Sequence, residues 1–482
     1  MPEDTVTAQP TPVVAQPTPV VEAPILTSPA SPTPKKSSSK LPLLAIAALV
    51  VVAIIGVGAY LMLSKTAKPV AKEAAVAPAT TTTVVDPNTI TVWSWNTAAK
   101  ALEELVPAFE KVNPNIKVKV VEIPYNEANA RFKTAVSTGV GFPDVWDTEG
   151  PVTPGYIADR SLLDITAQAA KYQNDFVPYK WAEVTSNGKT YGLPWDSAPV
   201  GTFYRADLFK ASGVNPDSIK TWDDFITAGQ KVTKAPSQYM TLMSKKSDVG
   251  DFFQTLLAEF GGSEYDTAGN LTFNSPQGIQ TVTLMKKILD SGVAADIGWW
   301  TPEFYSGIKS GQVASLTTGV WMGGQIATTA PDQSGKWAVM PVPATIVGGV
   351  RSAVRGGSNL AVTAKSTKAD MAWKFIEFAL ANKDNQLKMY KDFGIFPALK
   401  SAYADPLFST PDPYFSNQNT SQLFIQAQNV MPLTYHYGPY FIEVNNIIST
   451  EVVLAINGKK PIQQALADAE TEANKILKGG SK

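Results

Sequence analysis

Apolar and polar positions fall into three patterns along this chain. The first is a block. From an opening at Leu41 to a close at Leu63 the chain runs 23 residues without a charge. At 1.5 Å per residue that is about 34 Å of helix, enough to cross a hydrocarbon core of roughly 30 Å, so the block predicts one membrane span. A secretory signal is the competing reading, but its apolar core is about 7 to 15 residues and starts near the N-terminus. Residues 1–40, ahead of the block, hold nine prolines and no aromatic residue. Such a tail buries too little apolar surface to offset the entropy of ordering and is expected to be disordered. Residues 64–87 are rich in Pro, Ala and Thr and read as a flexible tether.

The second and third patterns are periodic and belong to the body. After the β-rich run TITVWSWN, residues 97–113 place Leu102, Leu105, Val106, Phe109 and Val112 on one helical face, with Pro107 expected to kink that helix or shift its start. Ile116, Val118 and Val120 then alternate with Lys117 and Lys119, the period of a strand. A helix over 126–138 closed by Gly139 leads to the strand PDVWD. Strand, helix, strand, helix, strand implies right-handed crossovers and a largely parallel sheet, whose ligands bind beyond the carboxyl ends of the strands. Asn187-Gly188 between extended runs predicts a two-residue hairpin. A second α/β region begins near Pro199. It includes a helix capped by Thr221 with Asp224 reaching back, and another opened by Ser275-Pro276 and stopped at Gly292. About 400 residues exceed one hydrophobic core, so two α/β lobes are expected.

Composition narrows the chemistry. With no cysteine among 482 residues there is no disulfide scaffold, thiolate metal site, cysteine nucleophile or acylated N-terminal cysteine. His436 is the only histidine, which excludes any site needing two imidazoles and reads as a surface or packing residue. Lys and Arg number 41 against 42 Asp and Glu, a balance that argues against a nucleic-acid partner. Six of those basic and four of those acidic residues precede residue 86, leaving the body mildly acidic. No phosphate-binding glycine loop, nucleophile elbow or metal-ligand spacing is present, and no cofactor is implied.

Eleven tryptophans stand out by placement. Trp95 ends the first strand, Trp146-Asp147 ends PDVWD and Trp195-Asp196 ends GLPWD; Trp300 lies in IGWWTPEF and Trp321 in TTGVWMGG. Flat aromatic faces beside carboxylates suit sugars, whose C–H faces pack on rings while their hydroxyls seek strong acceptors. Trp95, Trp195, Trp300 and Trp321 therefore read as ligand contacts. Trp93, Trp222 and Trp373 read as packing, and Trp299 as the neighbour that points away from Trp300. Asp147 and Glu149 either cap a Gly-Pro turn or face a ligand. Arg355 either pairs with a structural carboxylate or touches ligand.

TITVWSWN, NPNIKVKV, PDVWD, NGKTYGLPWDSAPVGTFYRADLFKASGV and TWDDF, in this order, resemble the extracellular solute-binding proteins of ATP-driven importers, and within them the sugar-binding, maltose-binding-protein-like group. GGSEYDTAGNLTFNSP, VRGGSNLAVTAKSTKADMAWKFIEFAL and INGKKPIQQALADAETEANKIL continue the likeness over about 88–478. The resemblance implies an α/β, two-lobe periplasmic-binding-protein-like fold with a hinge, here preceded by one transmembrane helix. Lobe 1 would comprise 88–198 and 356–405, and lobe 2 would comprise 199–355 and 406–482. Crossings would fall near Ser197 to Gly201, near Arg355 to Asn359 and around Asp405. Carried onto matching positions, the first lobe would offer the ligand Trp95, Asn96, Trp146, Asp147 and Glu149. The crossings and second lobe would offer Asp196, Tyr204, Trp300, Trp321, Arg355 with Gly356-Gly357, and a tyrosine of YHYGPY such as Tyr435. The implied function is non-enzymatic: capture of a mono- or oligosaccharide for the permease subunits of an ABC transporter. A peptide, polyamine or compatible solute, or a surface glycosidase, are the rival readings. Lysines 35, 36 and 40 balance lysines 65, 68 and 72 across the apolar block, so charge sets no orientation. A receptor must face outward, which places the N-terminus in the cytoplasm and the body outside. The missing lipoprotein cysteine and the Pro-rich tail depart from the family pattern.

Overall fold

The computed structural model describes residues 86–247, 249–431 and 435–479. The expected tail 1–40, the span 41–63 and nearly all of the tether 64–87 lie outside the described residues. Among the described residues no helix is long and apolar enough to cross a membrane.

The first lobe opens with β1 (Thr89–Ser94), the helix Asn96–Val112, β2 (Lys117–Glu122), the helix Tyr125–Thr138 and β3 (Val145–Glu149). β2 and β3 flank β1 in parallel, with Trp93 opposite Val121 on one side and Trp146 on the other. Leu102, Leu105 and Phe109 give the first helix its buried face. Pro107 lies inside one continuous helix that starts at Asn96. Its ring is exposed, as is Glu103, the residue whose carbonyl it deprives of a donor, so water can satisfy that group. Gly139 ends the second helix at φ 73, a left-handed conformation that favours glycine.

β4 (Thr185–Ser186) and β5 (Lys189–Thr190) form the hairpin, with Asn187 at φ 50 and Gly188 at φ 73 supplying the two positive angles of its turn. β6 (Leu193–Pro194) precedes the first crossing, and β7 (Val200–Arg205) begins the second lobe, buried along its whole length. β8 (Thr241–Leu242) pairs in parallel with β9 (Ala294–Ala295). β10 (Ser315–Gly319) and β11 (Trp337–Met340) both run antiparallel to β7. The chain then returns as β12 (Ser358–Val362), which inserts antiparallel between β3 and β6. The first-lobe sheet thus has the order β2-β1-β3-β12-β6, and the second-lobe sheet β10-β7-β11. In the first-lobe sheet the parallel arrangement expected from the opening repeat holds for three of the five strands. β12 and β6 adjoin crossings from the other lobe, and the second-lobe sheet is antiparallel.

Leu102, Phe109, Leu360 and Phe375 pack on one face of the first sheet, and Phe132, Trp146 and Tyr156 form another cluster in that lobe. Second-lobe clusters form around Trp222, Phe253 and Ile288, and around Phe203, Phe304 and Trp337. Trp222 and Trp373 are buried, as their helical spacing predicts. Two passages between lobes run side by side: Arg355 N–H donates to the Ala198 carbonyl at 3.0 Å, and Pro199 bridges Val354. The segment Phe396–Leu399 lies alongside them, where Ser197 N–H donates to the Phe396 carbonyl at 2.8 Å and Ala398 N–H to that of Trp195 at 2.9 Å. Phe396 packs into the second lobe and Ala398 into the first. Asp405, near which a third passage is expected, caps the turn Pro406–Ser409, and Ala402 packs in the cluster around Phe203.

Candidate functional site

The carboxyl ends of β1 and β3 build one wall. Trp95 follows β1 and meets Tyr125 edge to face at 5.6 Å. Tyr125, 47% exposed at the start of its helix, donates from its hydroxyl to Glu149 Oε2 at 2.8 Å. Burial pushes the Glu149 carboxyl up to about 7; the Tyr125 hydrogen bond opposes this, and the charges of Asp251 and Asp196 add to it. The Glu149 charge in turn holds the Tyr125 phenol well above its usual range. Beside this pair, Lys180 and Glu183 form a buried ion pair. Gly150 makes room for it, since a Cβ there would lie 2.2 Å from Glu183 Oε2. Asp196 accepts the Ser358 N–H and is pushed up to about 6 by burial, against the pull of Lys180.

Indoles build a second group. Trp300 stacks on Trp321 with centroids 5.6 Å apart and 28° between planes, and remains 47% exposed. Its φ of 63 is a strained angle for so bulky a residue, a feature that concentrates at ligand clamps. Arg355, on the second crossing, lays its guanidinium 4.6 Å from the Trp299 ring and 5.9 Å from Trp321. It also donates to Asp251 Oδ2 at 2.6 Å and to Thr318 Oγ1 at 3.3 Å. Trp321 Nε1 donates to the Arg355 carbonyl at 2.9 Å. Tyr437 completes the ring of groups: burial raises its phenol first, and the charges of Glu183, Glu264, Asp251 and Glu149 follow. Phe441 and Ile442 pack against the cluster holding Trp95, and Lys133 reaches Glu443 at 3.4 Å, so the walls meet beside the tyrosine loop.

A chain of contacts and charges therefore links Trp95, Glu149, Asp196, Trp300, Trp321 and Arg355. Asn96, exposed at φ 45, adjoins Trp95. Tyr435 stands 5.1 Å from Tyr437, and burial, then the nearby charge of Glu264, raises its phenol well above the usual range. Four expected contacts lie elsewhere. Trp146 is fully buried, stacked on Phe132 at 4.3 Å. Trp195 is fully buried in the other first-lobe cluster, and Tyr204 packs on Phe209 at 4.6 Å in the second-lobe core. Asp147 is fully buried, accepts a hydrogen bond from Ser94 Oγ at 2.6 Å, and is raised well above the carboxylate range by burial. Arg355 takes the carboxylate pairing rather than standing free.

Sequence reasoning passed over Tyr125, Asp251, Lys180 and Glu183, and did not separate Tyr437 from its loop. Only the aromatic density of YHYGPY signalled the last. The assembled site offers stacked indoles together with the carboxyls of Glu149 and Asp196. Among the described residues no group of three or more acidic or imidazole ligands is arranged to hold a metal ion.

The sequence model of the family described as bacterial extracellular solute-binding protein matches residues 104–415. The arabinooligosaccharide-binding protein of Bacillus subtilis (strain 168) is 29% identical over 316 residues, covering 64% of this chain and 72% of its own. The lactose-binding protein of Rhizobium radiobacter is 24% identical over 398 residues, or 80% of this chain and 92% of its own. In the solved structures, the ABC transporter associated binding protein from B. animalis subsp. lactis Bl-04, in complex with beta-1,6-galactobiose, matches with a TM-score of 0.72 at 27% identity over 82% of this chain and 98% of that one. These relatives are solute-binding proteins, not enzymes. With a family match that spans well over half its length and the two-lobe fold in common, the chain belongs to the bacterial extracellular solute-binding proteins.

Proposed function

We propose that this chain is a receptor, tethered to the cell membrane by residues 41–63, that captures a mono- or oligosaccharide between its lobes. It then presents the sugar to the permease subunits of an ABC transporter, with the N-terminus cytoplasmic and the body outside. The observation that carries the reading is the half-exposed Trp300 stacked on Trp321 beside Arg355, whose charge, with that of Asp251, acts on the Tyr125 phenol that is hydrogen-bonded to Glu149. A sugar ring lays its C–H face on the indole and donates its hydroxyls to the acceptors opposite. The names of the relatives, which bind arabinooligosaccharide and lactose, support the sugar class.

In this reading the guest touches both walls only when the lobes are closed. That differential affinity shifts the population toward closure, with the crossings as the hinge. A second reading draws on the surplus of carboxylates: Glu149, Asp196 and Asp251 beside aromatic rings would also suit a polyamine or other cation. A thermal-shift screen of the full chain against lactose, arabinotriose, beta-1,6-galactobiose, amino acids and spermidine separates the two, since a bound guest raises the melting temperature by mass action. Stabilisation by a sugar supports the proposal. Stabilisation by spermidine alone sinks it.

A further inference from the structure

Trp321 is held by its N–H in a slot cut by two glycines. β10 ends at Gly319, and Val320 donates its N–H to the Pro199 carbonyl of the first crossing at 3.0 Å. The Trp321 indole reaches the other way, donating from Nε1 to the Arg355 carbonyl of the second crossing at 2.9 Å. The two crossings are bonded to each other through Arg355 N–H and the Ala198 carbonyl at 3.0 Å. A Cβ on Gly319 would lie 2.4 Å from Trp321 Nε1 and 2.8 Å from the Arg355 oxygen. Gly356 and Gly357 stand at φ 85 and φ 93, angles that side-chain-bearing residues rarely adopt. The segment bonded to the indole is therefore also one of the passages that must turn if the lobes move.

We infer that Gly319, Gly356 and the Arg355 carbonyl are positioning groups: they fix the Trp321 ring through its N–H and couple its orientation to the angle between the lobes. The inference rests on reading Trp300 and Trp321 as the ligand wall. A change of lobe angle is taken up in the backbone of residues 355–357, which turns the Arg355 carbonyl and carries the indole with it. By the same bond, a guest that selects one ring orientation selects one lobe angle. Ring face and ring N–H thus have separate tasks. Removing the N–H while keeping an aromatic face should uncouple binding from closure.

The absence of cysteine lets Lys119→Cys and Lys231→Cys, at exposed positions on different lobes, carry spin labels without background in the full chain. Electron–electron resonance then reads the interlobe distance distribution. Without ligand, Trp321→Phe and Gly319→Ala should broaden that distribution, and Trp300→Phe should leave it as in the parent. With whichever of lactose, arabinotriose or beta-1,6-galactobiose binds, Trp300→Phe should bind more weakly yet reach the parent's distance at saturation. Trp321→Phe and Gly319→Ala should bind about tenfold more weakly, the scale of one hydrogen bond, and stay broad at saturation. In nitrogen-15 spectra the Trp321 indole proton should exchange slowly in the parent and fast in Gly319→Ala. Parent-like distributions for both Trp321→Phe and Gly319→Ala in the ligand-free protein overturn the coupling. If no probe sugar binds the parent, the sugar reading fails on its own, and the ligand-free comparison still decides the coupling.

Discussion

Glu149 shows how one side chain can link the site to the stability of the body. Its carboxyl is pushed up to about 7, that of Asp196 to about 6 and that of Glu264 to about 8, each first by burial. In an unfolded chain such groups titrate at about 4, so from there to about pH 8 the folded state binds more protons than the unfolded state. Stability therefore falls as pH rises through that window. Glu149→Gln removes one of the three contributions. Its melting temperature should fall less steeply than the parent's between about pH 5 and pH 8, as read by scanning calorimetry. The buried indoles predict the complementary behaviour. Trp146→Ala should cost about 3–5 kcal/mol in urea denaturation. Its sugar affinity, measured where the variant remains folded, should change by less than that of a Trp300 variant, because Trp146 stacks on Phe132 and reaches the site only through Trp95.

At the scale of elements, the helix Trp222–Val232 depends on a reciprocal cap. Thr221 Oγ1 accepts from Asp224 N–H at 3.2 Å, and Asp224 Oδ2 accepts from Thr221 N–H at 2.9 Å. Thr221→Ala should lower stability by about 1 kcal/mol, moving the urea midpoint without changing the slope. That cap was legible in the sequence because it involves residues three apart, as were the Asn187-Gly188 hairpin and the Gly139 stop. What was not legible is non-local. β12 inserts between β3 and β6 after a stretch of second lobe, a pairing no periodicity encodes. Trp95 and Trp146 both sit on or beside neighbouring strands of one sheet. Which of them adjoins the site depends on Phe132, brought in by a separate helix. Lysines are almost never fully buried unless paired, and nothing in PYKWAE marks Lys180 as an exception, yet it is fully buried against Glu183. Breaking such a pair from one side leaves an uncompensated buried charge, so Lys180→Met should destabilise by about 3–5 kcal/mol in the same denaturation measurement.

Over the whole molecule, the two lobes touch beside the tyrosine loop, where Phe441 and Ile442 meet the Trp95 cluster and Lys133 approaches Glu443. Both partners of that ion pair are 41% exposed, so it contributes little in water. Lys133→Ala should shift sugar affinity by less than about 1 kcal/mol. Closure should instead be driven by the guest between the indole wall and the carboxylates. Calorimetric titration of the full chain with lactose, arabinotriose and beta-1,6-galactobiose, run in parallel on Trp300→Ala, tests that most directly. At least one sugar should bind the parent with a negative heat-capacity change, and the variant should bind it about 1–3 kcal/mol more weakly. Equal affinity in parent and variant, or no heat from any sugar, would contradict a saccharide clasped against Trp300.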